Sequence, residues 1–203
     1  MEGLSEELRF RIERTFAALK RRGVDPVFVP SREEALANLI ARIPKGATIA
    51  HGTSATLSEI GFVDLLKRSD SGYRYLNPEW TKENDSTKRA RLRARLTAEA
   101  DYYLGSVPAI CETGEVVAAD MTGSRQMGYV YGPPHVIWVA GTNKLVPDLE
   151  AALRRVRDVA LPLEDKRVRD GGGSGSAIGK LVIYEWERPG RIDLMLVGEH
   201  LGF

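Results

Sequence analysis

Cysteine is nearly missing from this sequence: Cys111 is the only one in 203 residues. No intrachain disulfide can form, and the chain alone cannot supply a multi-cysteine zinc or iron–sulfur site. That scarcity fits a reducing, cytoplasmic setting. Histidine is also sparse, and His51, His135 and His200 show no metal-ligand spacing, so no metal is expected. No sign of charge dominates: 29 Lys and Arg face 28 Asp and Glu, a net charge of +1. Such a balance provides no global field to draw in nucleic acid or an anionic membrane. No apolar run approaches the ~20 residues that cross a bilayer. The opening residues Met1-Glu-Gly-Leu-Ser-Glu-Glu-Leu8 are acidic and amphipathic, where a secretory signal would be basic and then apolar. The usual dinucleotide fingerprint is missing too, so no redox cofactor is expected to be tightly held.

What is present suits one sizeable domain, with 43% apolar and 28% charged residues. Leu8, Ile12, Phe16 and Leu19 stripe one face of a helix from Leu4 to Arg22, which Gly23 ends. Pro26–Val29 reads as a strand, and Ser31-Arg-Glu-Glu34 opens a second helix with a capping box. Ala47–Ala50 is the next strand. Thr81–Ala100 is expected to be a long charged helix, Asp101–Ile110 mostly strand, and Glu115–Asp120 its hairpin partner across Thr113-Gly114. His135–Ala140 is a near-continuous apolar run, the mark of a central strand. Asp148–Val159 reads as a helix. Lys180–Glu187 and Arg191–Val197 read as a closing hairpin turned at Pro189-Gly190. The alternation predicts an α/β fold, a mixed and mainly parallel sheet flanked by helices. Residues 1–30 are expected to form a helical arm and residues 31–203 the α/β domain.

Four stretches carry candidate chemistry. After the strand Ala47–Ala50 come Gly52, Thr53, Ser54 and Thr56, a hydroxyl-rich turn opening a helix, suited to a phosphate or carboxylate. Its plainer reading is a tight turn with a Ser or Thr cap. Glu112-Thr113-Gly114 places a carboxylate at a strand end beside a glycine that allows close approach, as a nucleophile or general base requires. Asp120 ends the next strand, either facing the same cleft or capping the turn at Met121-Thr122, and the cap is the favoured reading. Gly141-Thr-Asn143-Lys144 follows the most apolar strand. Lys144 there can neutralise an anion, with Asn143 orienting it, or pair with Asp148. The loop Gly171–Ser176, with Gly173, Ser174 and Gly175 as its candidate ligand residues, either offers N–H groups to an anion or is a connector. Cys111 reads as a buried, inert thiol, and His51 as a hydrogen-bonding neighbour of the anion turn. The basic run Lys88–Arg95 reads as a solvated helix face, since no aromatic–basic pattern accompanies it. Tyr102, Tyr103, Tyr129, Tyr131, Trp138 and Trp186 are expected in the core or cleft walls.

The motifs His51–Gly61, Ile110–Val117, Ala119–Ser124, Val139–Val146, Leu161–Arg167, Gly173–Ser176, Lys180–Ile183 and Val197–Phe203, in that order, resemble the lactate-utilisation (LUD) domain family. The similarity spans roughly residues 5 to 203, nearest to the single-domain branch related to the lactate utilisation C subunit. It implies a fold like that of glucosamine-phosphate deaminase, ribose-phosphate isomerase and CoA transferase. It also implies a role in the metabolism of lactate or a related small carboxylate, with a small anionic metabolite as ligand. Iron–sulfur partner proteins and a homo-oligomer follow as partner expectations. The Gly52–Thr56 turn resembles the phosphate loop of the sugar-phosphate isomerases, and Glu112 the nucleophilic glutamate of the CoA transferases. The competing readings are a non-catalytic assembly or sensing subunit of an oxidase complex, and an isomerase or CoA transferase-like enzyme.

Overall fold

The computed structural model describes residues 3–203, so the first two positions of the expected arm lie outside the described residues. Ser5 caps the first helix, α1 (Glu6–Arg21), by accepting from the amide of Leu8, and Gly23 reverses the chain at φ +82°. The helix buries Ile12, Thr15, Ala18 and Leu19. It leads into β1 (Val24–Val29), then α2 (Arg32–Arg42), capped by Ser31. β2 (Thr48–His51), α3 (Ala55–Glu59), α4 (Phe62–Lys67) and β3 (Arg74–Tyr75) follow. A short helix, α5 (Asn77–Thr81), comes next, and the helix expected from Thr81 to Ala100 begins only at Ser86, as α6 (Ser86–Glu99), because Asp85 caps its start by accepting from Lys88. The expected strand Asp101–Ile110 breaks into β4 (Tyr102–Gly105) and β5 (Ala109–Cys111) around Pro108, which cannot donate to a ladder. β6 (Val116–Asp120), α7 (Gln126–Val130), β7 (His135–Gly141) and a single 3-10 turn, Thr142–Lys144, precede β8 (Leu145–Val146). A long helix follows as α8 (Leu149–Arg155), a π turn (Val156–Ala160) and α9 (Leu161–Asp170). It outruns the expected end at Val159. The widened turn comes just before Pro162, whose ring and missing N–H would break a regular ladder. β9 (Lys180–Tyr184) and β10 (Ile192–Val197) complete the fold.

Six strands pair in parallel, in the order β1-β10-β7-β4-β2-β3. β7 is central, as its apolar run requires. Its Val136, Trp138 and Ala140 enter one core, and Ile137 and Val139 the core on the other face. This is the mainly parallel sheet flanked by helices expected from the sequence, and a smaller sheet stands beside it. β8, β5, β6 and β9 form a second, mixed sheet backed by α8. The expected hairpin of the last two strands does not form. β9 pairs with β6 in the small sheet, while β10 inserts between β1 and β7 in the large one. Period-2 patterning identifies strands but not their partners. Within the expected arm, α1 packs on the main sheet, burying Ile12 and Leu19 in its core, and β1 is that sheet's edge strand.

Tyr103, Tyr129, Trp138 and Tyr184 form an edge-to-face chain between the two sheets, with ring centroids 5.6, 5.7 and 4.8 Å apart. Tyr131 and Trp186, expected in a wall, are instead 86% and 66% exposed. No helix among the described residues is long and apolar enough to cross a membrane.

Candidate functional site

The carboxyl ends of three adjacent strands of the parallel sheet meet at one cleft. β2 delivers the Thr53–Thr56 turn, β4 delivers Ser106, and β7 delivers Lys144 through the 3-10 turn. Open parallel sheets bind ligands at this end of their strands. Ala119 and Asp120 at the end of β6 supply a second wall, and the π turn and α9 a third, through Val156, Ala160, Leu161, Glu164 and Arg167. The cleft encloses about 200 Å³.

Lys144 is 1% exposed, and its ammonium nitrogen lies 2.7 Å from Ser106 Oγ and 3.0 Å from Thr56 Oγ1. The two hydroxyls are 3.2 Å apart, which closes a triangle. No carboxylate pairs with Lys144 among the described residues, and Asp148 instead caps α8. Burial pushes the Lys144 pKa down from 10.5 to about 7. Arg155 and Arg125 add to that push and Glu59 opposes it. Asn143 does not reach the cleft lining. Its amide accepts from the backbone of Leu201 and donates to the carbonyl of Gly202, fixing the 3-10 turn against the segment that ends in Phe203. Gly141 permits this approach, because a side chain there would meet the backbone of Glu199 and Leu201.

The Thr53–Thr56 turn divides its duties. Ser54 caps α3 by accepting from Leu57, the plainer of its two readings, while Thr56 turns its hydroxyl to Lys144. Arg125 lies across Gly52, donating to the carbonyls of Thr53 and Ala119. Asp120 lines the cleft, but both its oxygens are engaged. One accepts from the amide of Thr122 and the other from the amide of Arg125, so the favoured cap reading describes its contacts.

Glu112 and Gly114 stand apart from this cleft. β5 carries the chain away from Pro108 at the cleft and β6 returns it to Asp120, so Glu112 and Asp120 sit at opposite ends of one hairpin. Glu112 is buried against α1, one oxygen 2.7 Å from Arg11 Nε and the other on the Arg14 guanidinium. Gly114, at φ +99°, packs on Ala18 of the same helix and on Arg22 just past its end. The glycine-rich loop is tied back onto α9, where Gly173 bonds to Val168 and Ser176 to Asp165. Gly173, Ser174 and Gly175 do not line the cleft, whereas Ser176, Ala177 and Ile178 do. His51 is buried, stacked on Tyr75 and bonded to its hydroxyl at 2.8 Å, and burial lowers its pKa. Cys111 is buried, its thiol pushed up to about 12, which matches the inert reading.

Several cleft residues were not singled out from the sequence, Ser106, Arg93, Arg125 and Arg167 among them. Ser106 lay inside an assumed strand. Arg125 carried no motif. Arg167 joins Glu164 through two bonds of 2.7 Å. Arg93 belongs to the run read as a solvated face, yet it shares a helix face with the buried Leu96 and Thr97 three and four residues on. That spacing was the available signal. Arg93 lies 5.8 Å from the Trp80 ring centroid, and its Nε is buried with no hydrogen-bond partner among the described residues. Four cationic side chains thus face the cleft against two carboxylate side chains. Glu164 is taken by Arg167, and Asp120 lies 3.8 Å from the Arg125 guanidinium, which leaves Arg93 and Lys144 without an acidic partner.

No group of His, Cys, Asp and Glu that could hold a metal ion occurs among the described residues. The crystal structure of a DUF162 family protein from Deinococcus radiodurans, at 1.70 Å resolution, is similar to this chain, with a TM-score of 0.58. The match covers 96% of this chain and 99% of that one, and at 15% identity it speaks for the fold alone. No curated protein matches the chain. The family model described as LUD domain matches residues 12–194, a span holding the large sheet from β1 into β10 and all of the cleft except Phe203, and the chain belongs to that family.

Proposed function

We propose that this LUD-domain chain binds a small anionic metabolite, a carboxylate or a phosphorylated compound, in the cleft between the two sheets. Its setting in this reading is the metabolism of lactate or a related small carboxylate. Arg93 and Arg125 hold the anionic group, and Lys144, Thr56 and Thr53 face the remainder of the ligand. Glu112 has no part, being engaged by two arginines of α1. The observation that carries the reading is the pair of cleft cations, Arg93 and Lys144, that lack an acidic partner. A cation removed from water gains most from a ligand that brings the missing charge.

The test is thermal stabilisation by lactate, succinate, sugar phosphates and acyl-CoA thioesters, in the wild type and in Arg93→Ala and Lys144→Ala. One class should stabilise the wild type, by about 3 kcal/mol at a hundredfold excess over Kd. The gain should disappear in Arg93→Ala and shrink in Lys144→Ala. Absence of any stabilisation would transfer the weight to an assembly or sensing subunit that works through protein partners.

A further inference from the structure

The Ser106–Lys144 contact goes beyond anion binding. We propose that Ser106 is a nucleophile and Lys144 its general base, in transfer of an acyl group from an ester or thioester to water, where the acyl group carries a second, anionic end. The anionic end rests on the reading of the cleft given above; the dyad itself does not.

Three observations support the dyad. Ser106 Oγ is 2.7 Å from Lys144 Nζ, within reach for direct proton transfer. Both residues line the cleft, so an acyl carbon can approach Oγ from the open side. Ser106 is also held in place. Its carbonyl accepts from the buried Tyr129 hydroxyl at 3.0 Å, and Thr56 Oγ1 contacts both members of the dyad. A base must be able to lose its own proton first, and a lysine near pKa 7 with no carboxylate on it does so in neutral solution. The charged groups around it are Arg155, Arg125 and Glu59, and the two arginines favour the neutral amine.

The step balances without an oxidant or reductant. The Lys144 lone pair takes the Ser106 Oγ proton while Oγ bonds to the acyl carbon and the carbonyl electrons move onto oxygen. Collapse reforms the carbonyl and breaks the bond to the alcohol or thiol, which leaves with the proton held on Lys144. Water repeats the sequence on the acyl-serine and yields the free acid and Ser106 Oγ–H. Arg93 and Arg125 hold the far carboxylate and place the ester at Ser106.

The test compares mono-4-nitrophenyl succinate with 4-nitrophenyl acetate on the full chain, reading acyl adducts by intact mass and peptide mapping. Succinate binding is followed separately by thermal shift. The wild type should acylate at Ser106, and the rate should rise as pH passes about 7, where Lys144 becomes neutral. The succinate ester should react at least about tenfold faster, the worth of one charge-assisted contact. Ser106→Ala should form no adduct at that site and still be stabilised by succinate, which shows that it folds. An adduct on Lys144, or none on Ser106 at pH 8, overturns the dyad whatever succinate does. Equal rates on the two esters with an adduct on Ser106 would keep the dyad and remove the anionic end.

Discussion

The Tyr129 hydroxyl donates to the carbonyl oxygen of Ser106 at 3.0 Å, so an inner link of the aromatic chain between the sheets is bonded to the residue that faces the cleft. The preceding residue, Gly105, makes this fit. A side chain there would run into the Tyr129 hydroxyl.

Gly105→Ala should therefore cost about 2–4 kcal/mol, from overpacking plus a lost buried hydrogen bond. Chemical denaturation measures it, and the substitution should also slow acylation at Ser106. An unchanged midpoint would mean that Tyr129 moves aside freely.

Lys144 makes stability depend on pH in a defined window. Its folded pKa is about 7 and its ordinary value 10.5, so below pH 7 both folded and unfolded chains carry the proton and the burial penalty is complete. Between pH 7 and 10.5 the unfolded chain binds more protons, and stability rises with pH. Lys144→Met should lack that rise. The stability difference between the two proteins should shift by up to about 5 kcal/mol across the window. Parallel curves of Tm against pH for the two would sink the assignment.

Anion affinity should move the opposite way. The anionic group rests on Arg93 and Arg125 in this reading, but the Lys144 ammonium lines the same cleft and adds to its attraction, so affinity should fall as pH rises through about 7. Titration calorimetry in buffers of differing ionisation heat should detect proton uptake on binding above that pH. Binding with no linked proton would place the anion away from Lys144.

Gly52 is the place where Arg125 crosses the anion turn, and a Cβ would meet the Arg125 side chain at 2.7 Å. Gly52→Ala should displace Arg125 and weaken anion binding by about tenfold, at a stability cost of about 1–2 kcal/mol. A variant that binds as the wild type does would show that Arg125 is not needed to hold the ligand.

Glu112→Gln should lower stability by about 1–3 kcal/mol, since a buried carboxylate that answers two arginines is lost. Ligand stabilisation at the cleft should remain as in the wild type. A loss of ligand binding with stability intact would return Glu112 to the site.

The sequence by itself determined the local elements and the chemical materials of the cleft. The apolar run of β7, the serine cap of α2, the threonine-rich turn after β2 and the lysine after β7 depend on neighbours a few residues away, where propensity and capping act. Cys111 was legible as inert for the same reason, standing on a short strand with no histidine or cation beside it in sequence. Tertiary structure decided which strands pair and which side chains meet. β9 and β10 have hairpin-like spacing, but β10 has an apolar residue at almost every position and is buried on both sides between parallel neighbours, so it left its sequence neighbour for the large sheet. Glu112 and Asp120 are eight positions apart along the chain, yet a hairpin's length of rigid backbone holds them at opposite ends. Ser106, Arg93 and Thr56 come to Lys144's cleft from separate strands and helices, and no periodicity in one dimension records that meeting. The lowered pKa of Lys144 arises only there, because desolvation is a property of the packed interior and not of the residue.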